Sequence, residues 1–220
     1  MTIIVAVGLA LLSESLKSSQ EANELLAKKS DILKSVGKSD VEDVESFFSE
    51  RIQGLVLDNN GSILEGVDAI DVNLEEEDKK PAEQKRYPLY VYSGEGGSNR
   101  YIIPMRGSGL WGPIWGYIAI EDDYSTIAGV SFDHATETPG LGAEITQNWF
   151  QDSFVGKNIR DDLGEFTGIT VKKGALNKPK HQVGAISGAT ITGDGVTDMI
   201  KEDVENYLPY FESQQQTANL

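Results

Sequence analysis

An α+β domain, in which a mostly antiparallel sheet packs against helices, is the fold class this 220-residue sequence predicts. Three observations predict it. Helical periodicity frames the chain, in residues 18–36 and 196–211. Between 87 and 134, short apolar or alternating runs are separated by Gly, Ser and Asp too closely for crossover helices, so the strands pair antiparallel. A hydrophobic share of 39% with 25% charged residues is that of a chain able to bury a core.

From the N-terminus, residues 1–12 are apolar and uncharged and pass at once into the polar stretch 13–24. About a dozen residues fall short of the ~20 that cross a bilayer. The run also lacks the basic start and cleavage site of a complete signal peptide. A buried helix, a signal fragment and the second half of a transmembrane helix all fit. Residues 18–36 read as a helix, with Ala22, Leu25, Leu26, Ile32 and Leu33 at helical spacings and Lys28 and Lys29 opposite. Ser39-Asp40 is the expected cap of a second helix, striped by Val41, Val44, Phe47 and Phe48. Residues 54–58 followed by Asn59-Asn60-Gly61 read as a strand entering a turn. The acidic run Glu75-Glu76-Glu77-Asp78, before Lys79-Lys80-Pro81, reads as a solvated loop.

Strands are expected at 89–92, 100–105, 116–120 and 127–132. The spacings Leu141/Ile145/Trp149 and Phe150/Phe154 predict one helix over 141–154. Strand character resumes at 167–171 and 182–186. The last helix, 196–211, carries Val196, Met199, Ile200, Val204, Tyr207, Leu208 and Phe211 on one face.

The balance of 19 basic against 35 acidic residues, a net charge of −16, opposes binding to nucleic acid. The absence of cysteine excludes disulfides, thiolate catalysis and iron–sulfur ligation. Two histidines, His134 and His181, lie too far apart in sequence to suggest a metal centre. Redox chemistry in such a chain calls for an organic cofactor.

Three segments stand out. Ser187-Gly188-Ala189-Thr190-Ile191-Thr192 lies between a strand and the last helix. Its small side chains let a ligand approach the backbone, and a helix start points free N–H groups at an anion such as phosphate. The commoner meaning of such a turn is a helix cap and close packing. Glu137-Thr138-Pro139-Gly140-Leu141-Gly142, introduced by His134, is a strong turn signal. It reads either as a tight connection or as a rigid loop set against a planar ring. In the third segment, residues 106–116, Trp111 and Trp115 stand among glycines and a proline, which excludes a regular helix. Core packing or a partner contact is the expected use of these rings, ahead of a wall for a planar ligand.

Taken in this order, the Ser-Gly-Ala-Thr segment, the segment from His134 to Gly142 and the stalk-like N-terminus resemble the FMN-binding domain family. That family includes the NqrC subunit of the sodium-pumping NADH:quinone oxidoreductase (Nqr) and the RnfG subunit of the related Rnf complex. Gly109-Leu110-Trp111 resembles a stretch of the former. The resemblance implies an electron relay with FMN joined to Thr190 by a phosphoester, installed by a flavin transferase that uses FAD and magnesium. Ser187, Gly188, Ala189, Ile191 and Thr192 would neighbour the phosphate and ribityl chain. Glu137, Thr138, Leu141 and Gly142 would meet the flavin ring, with Trp149 a further neighbour or, more simply, a core residue. No residue is assigned acid or base catalysis. The resemblance further implies partners among the other subunits of a membrane redox complex. It implies a single-pass anchor in the bacterial inner membrane, incomplete in residues 1–16, with helices over 17–50. The FMN-binding domain would occupy 51–213 on the extracytoplasmic side, followed by a tail at 214–220. Where many relatives carry an Asp six residues before the modified Thr, this chain has Gly184; where Ser-Asn-Gly is common downstream, it has Gly193-Asp194-Gly195, and Asp194 is expected to cap the last helix. The alternatives are the RnfG subunit of an Rnf-type complex and a flavin-free partner-binding module.

Overall fold

The structure, a computed structural model, describes residues 2–218. It opens with one helix, α1 (Thr2–Ser35), in place of separate segments. No proline interrupts it, and it ends where Gly37 takes a φ of 76°. There the N–H groups of Gly37 and Lys38 donate to the carbonyls of Lys34 and Leu33, a Schellman stop. Among the described residues no helix is long and apolar enough to cross a membrane. Ile32, Leu33 and Val36 are buried, whereas residues 15–26 are exposed.

Helix α2 (Val44–Arg51) is capped by Asp43, whose carboxylate accepts from Ser46 N at 3.0 Å, and not by Asp40. Val41 precedes it in the connecting loop, packed against the core. The acidic run is not a loop but a short helix, α3 (Leu74–Asp78), capped by Asn73. Acidic side chains suit a helix N-terminus, and Glu77 turns inward to meet Arg86 and Lys80 at 2.7 and 2.8 Å. Burial would push the Glu77 pKa up, but the hydrogen bonds from Lys80 and Arg86 outweigh it and hold the group below its usual range.

The five strands β1 (Ile52–Leu57), β2 (Tyr87–Ser93), β3 (Asn99–Ser108), β4 (Pro113–Ile120) and β5 (Ile127–His134) form an antiparallel meander in sequence order. Alternate side chains serve two cores. Leu89, Val91, Ile103, Met105, Ile118 and Phe132 face one side, while Tyr90, Tyr92, Ile102, Tyr117 and Ala119 face the other. Both faces are covered, so the strands read as nearly continuous apolar runs. The end of α1 covers the second face at close range. A Cβ at Gly129 would overlap the Ser35 carbonyl oxygen, and Ser131 Oγ donates to Asp31 O at 2.9 Å.

The expected helix over 141–154 is three short pieces: a 3-10 turn (Gly142–Thr146), α4 (Asn148–Gln151) and a second 3-10 turn (Asp152–Phe154). Gln147 is extended and breaks the run. Ile145, Phe150 and Phe154 are buried, the last two against Phe132, but Leu141 and Trp149 are exposed. Trp149 is therefore not a core residue. Short strands β6 (Thr170–Lys172) and β7 (Gln182–Gly184) pair parallel beside the main sheet.

The last helix is two. Helix α5 (Thr190–Glu205) begins six residues earlier than its apolar pattern indicated, and α6 (Leu208–Ala218) follows. Pro209 explains the break, because its ring cannot follow a helical carbonyl at 205. Asp194 lies inside α5, whose N-cap is Ala189, and so does not cap it. α5 crosses the end of β3 through glycines: a Cβ at Gly195 would overlap the Ser108 carbonyl, and one at Gly107 would come within 2.8 Å of Met199 Cβ.

Candidate functional site

The three segments singled out by sequence converge at the start of α5. Their meeting point is the carboxylate of Glu137, which is only 5% exposed. Its Oε1 accepts from Trp111 N at 2.7 Å and its Oε2 accepts from Thr192 Oγ1 at 2.7 Å. The backbone N–H of Glu137 itself donates to His134 Nδ1 at 3.2 Å. Gly109 closes a tight turn with Gly112 at 2.8 Å, joining β3 to β4, and Thr136 Oγ1 donates to Trp111 O at 2.9 Å. The expected irregular loop is thus a hairpin tip clamped onto the Glu137 loop. Trp111 is 66% exposed and not core, while Trp115 belongs to β4 and is partly buried.

Thr138 holds the loop through its carbonyl, which accepts from Leu141 N and Ala143 N. Gly142 has no room for a side chain: a Cβ there would overlap Glu137 Oε2 and lie 2.7 Å from Thr192 Oγ1. Leu141 leans on Gly188, where a Cβ would be 2.7 Å from Leu141 Cδ2 and where φ is 77°. The positive φ favours glycine at 188, whereas the exposed Leu141 side chain could turn aside.

Ala189 is buried and opens α5 without a side-chain cap, and the first turn carries no acidic residue. The leading N–H groups of the helix thus meet no side-chain acceptor, an arrangement suited to an anion. Thr190 and Ser187 are exposed, as are the apolar side chains of Ile191 and of Leu141, which lies against Gly188; Leu110 and Trp111 on the hairpin tip are exposed as well. A phosphate would meet the helix start there and a planar ring would meet apolar surface. A groove of about 850 Å3 is lined by Gly109, Gly112 and Gly195; its two cations, Lys79 and Arg106, are both paired with Glu75, and Asp78, Asp198 and Glu202 leave it net acidic and unsuited to phosphate. Deeper along α5, Asp203 accepts from Arg106 N at 2.8 Å. Burial pushes its pKa up to about 7; the Arg106 hydrogen bond opposes the rise and the nearby charges of Asp78 and Glu202 add to it.

The sequence indicated Thr190, Thr192, Glu137, Leu141 and Gly142 separately, and the structure brings them together. It turns the Glu137 carboxylate inward, between two segments. Sequence reasoning did not link Gly109 and Trp111 to this loop. The signal was the pair of glycines bracketing Leu110-Trp111, which permits a tip narrow enough to reach Glu137.

Residues 109–205 match the family model of the FMN-binding domain. The chain is similar to the NqrC subunit of the Na(+)-translocating NADH-quinone reductase of Neisseria meningitidis, with 32% identity over 95% of this chain and 92% of the relative. It is similar also to the same subunit from Pseudomonas aeruginosa, with 29% identity over 90% of this chain and 88% of the relative. Among solved structures, the corresponding subunit from Parabacteroides distasonis superposes with a TM-score of 0.82 at 36% identity, covering 89% of this chain and 96% of the other. The Shewanella oneidensis NqrC superposes with a TM-score of 0.76 at 25% identity, covering 89% and 99%. Likeness over nearly the whole length, together with the site built from the matched region, shows that the chain belongs to the NqrC family of Na(+)-translocating NADH-quinone reductase subunits.

Proposed function

We propose that this chain is the flavin-carrying electron relay of a sodium-translocating NADH-quinone reductase, with FMN joined through its phosphate to Thr190 Oγ1. The observation that carries the proposal is the exposed Thr190 at the uncapped start of α5, next to exposed Ile191 and close to Leu141, which lies against Gly188. In the attachment step the Thr190 hydroxyl displaces AMP from FAD, forming one P–O bond as the pyrophosphate bond breaks and giving its proton to the transferase. Bound FMN supplies one-electron chemistry. The first turn of α5 would hold the phosphate through its N–H groups. Gly188, held in a left-handed conformation, and Ser187 leave the approach open, and Leu141 and Ile191 would offer apolar surface to the ring.

The unit that carries the flavin is residues 51–213, which enclose the matched segment. The apolar start of α1 serves as the membrane-proximal part of an anchor, and the domain stands on the extracytoplasmic side of the cell membrane with the other subunits as its partners. The names of the similar proteins favour an NqrC role over that of RnfG in an Rnf-type complex.

Co-expression with a flavin transferase, followed by denaturing electrophoresis and in-gel fluorescence, tests the ester. A fluorescent band is expected for the wild type and its loss for Thr190→Ala. No band in the wild type, or a band that survives in Thr190→Ala, would overturn the assignment.

A further inference from the structure

We propose that Glu137 is a positioning residue for the flavin site, with two separable effects. Its carboxylate latches the Leu110-Trp111 tip to the first turn of α5, and its negative charge lowers the reduction potential of the flavin carried there. The second effect rests on the attachment of FMN to Thr190; the first does not.

The geometry is that of a dedicated receptacle. Glu137 reaches a place where nearly all solvent is excluded, and each of its oxygens accepts a hydrogen bond from a different segment, Trp111 N from the hairpin tip and Thr192 Oγ1 from α5. A carboxylate without a cationic partner is costly to bury. Yet no Lys, Arg or His ion pair reaches it among the described residues; the two hydrogen-bond donors take that place. Two glycines make room for it. A Cβ at Gly109 would come within 2.5 Å of Oε1, and one at Gly142 would overlap Oε2. The tip that carries exposed Trp111 and the helix turn that carries Thr190 are thereby joined through one side chain.

Thr192 stands two residues beyond Thr190 in the same helical turn but on its buried side, so the charge of Glu137 lies across the first turn of α5 from the exposed attachment point. Adding an electron to a flavin near a fixed negative charge is disfavoured, and a carboxylate shut off from solvent is less screened than one in water, which lowers the potential. The ring therefore gives up its electron more readily.

Glu137→Gln separates the two effects. Its side-chain carbonyl still accepts from Trp111 N, and its amide donates to a Thr192 hydroxyl that now accepts, so the latch is kept and the charge is lost. Glu137→Ala loses both, and Thr192→Val breaks one arm of the latch while keeping the charge. In the full-length, flavin-free chain, amide exchange at Trp111 is read by NMR. Exchange about tenfold faster or more is expected in Glu137→Ala, the loss of one charge-assisted hydrogen bond, with near wild-type exchange in Glu137→Gln. Unchanged exchange in Glu137→Ala would overturn the latch. Should Glu137→Ala fail to fold, Thr192→Val decides the matter, because a latch joined to α5 predicts faster exchange at Trp111 there also and an isolated tip predicts none. In the flavinylated chain, Glu137→Gln is expected to shift the midpoint potential upward while Thr192→Val does not. A potential unchanged in Glu137→Gln would overturn the charge effect. If no variant, wild type included, takes up flavin, the Thr190 reading fails and the exchange measurement still decides the latch.

Discussion

Replacing Asp203 by Asn should make the protein more stable at alkaline pH and leave it nearly unchanged at pH 4. Burial is the main cause that raises the folded-state pKa of Asp203, from 3.8 to about 7. The folded protein therefore keeps a proton that the unfolded chain releases above pH 4. Its stability falls as pH rises from about 4 to about 7, and levels off beyond, where Asp203 is ionised in both states. A gap of roughly 3 pKa units at 1.36 kcal/mol each gives a ceiling of about 4 kcal/mol. Asp203 is only partly covered, and Lys85 and the Arg106 N–H offset some of the penalty, so about 2 kcal/mol is the expected effect. The Asn side chain keeps an acceptor for Arg106 N and carries no charge to bury. Urea unfolding of both proteins at pH 4, 5.5, 7 and 8.5 measures the difference directly, since every other titrating group is common to both. A gap that widens by about 2 kcal/mol between pH 4 and 8.5 is expected. A gap independent of pH, or one that narrows as pH rises, would refute the account of Asp203 as a group buried against its charge.

Two further substitutions probe the frame around the site. Gly195→Ala sets a methyl group against the Ser108 carbonyl, a backbone atom that cannot turn aside. It should cost about 1–3 kcal/mol despite the better helix propensity of Ala, and lower the yield of flavinylation as α5 lifts from β3, measured by thermal melting and in-gel fluorescence. A higher melting temperature would show that the close approach is dispensable. Glu77→Ala strands Arg86, which donates to Glu77 through its backbone N, Nε and a terminal nitrogen. A loss of about 3 kcal/mol is expected, partly recovered in the double variant with Arg86→Ala; additive losses in the cycle would count against a coupled pair.

The meander was legible because its strands alternate between two buried faces and turn at Gly, Ser and Asp. The helix starts were less so. Asp40 and Asp43 are both competent caps three residues apart, and only packing of Phe47 and Phe48 against the sheet selects Asp43. α5 hid its first turns behind Gly193 and Gly195, residues poor in helix propensity that are present for contact with Val171 and Ser108. Over 141–154, apolar spacing promised a helix, but Leu141 and Trp149 face solvent. In the acidic run, the burial of Glu77 depends on Arg86, nine residues away, which no local pattern announces. The site segments were visible one by one. Their junction was not, because it rests on contacts 26 and 55 residues apart in sequence, through a carboxylate whose destination only the fold determines.

Helices α1 and α5 each meet the meander at a glycine, Gly129 under the Ser35 carbonyl on one face and Gly195 over the Ser108 carbonyl on the other. Main chain touches main chain at both seats, with no rotamer between to yield. The two seats therefore act as fixed bearings in one casting. α1, with 34 residues, is about 51 Å long. The packed end of that shaft, at Ile32 and Leu33, and the helix that carries Thr190 are thus referred to one sheet through main-chain contacts, with no side-chain slack at either seat.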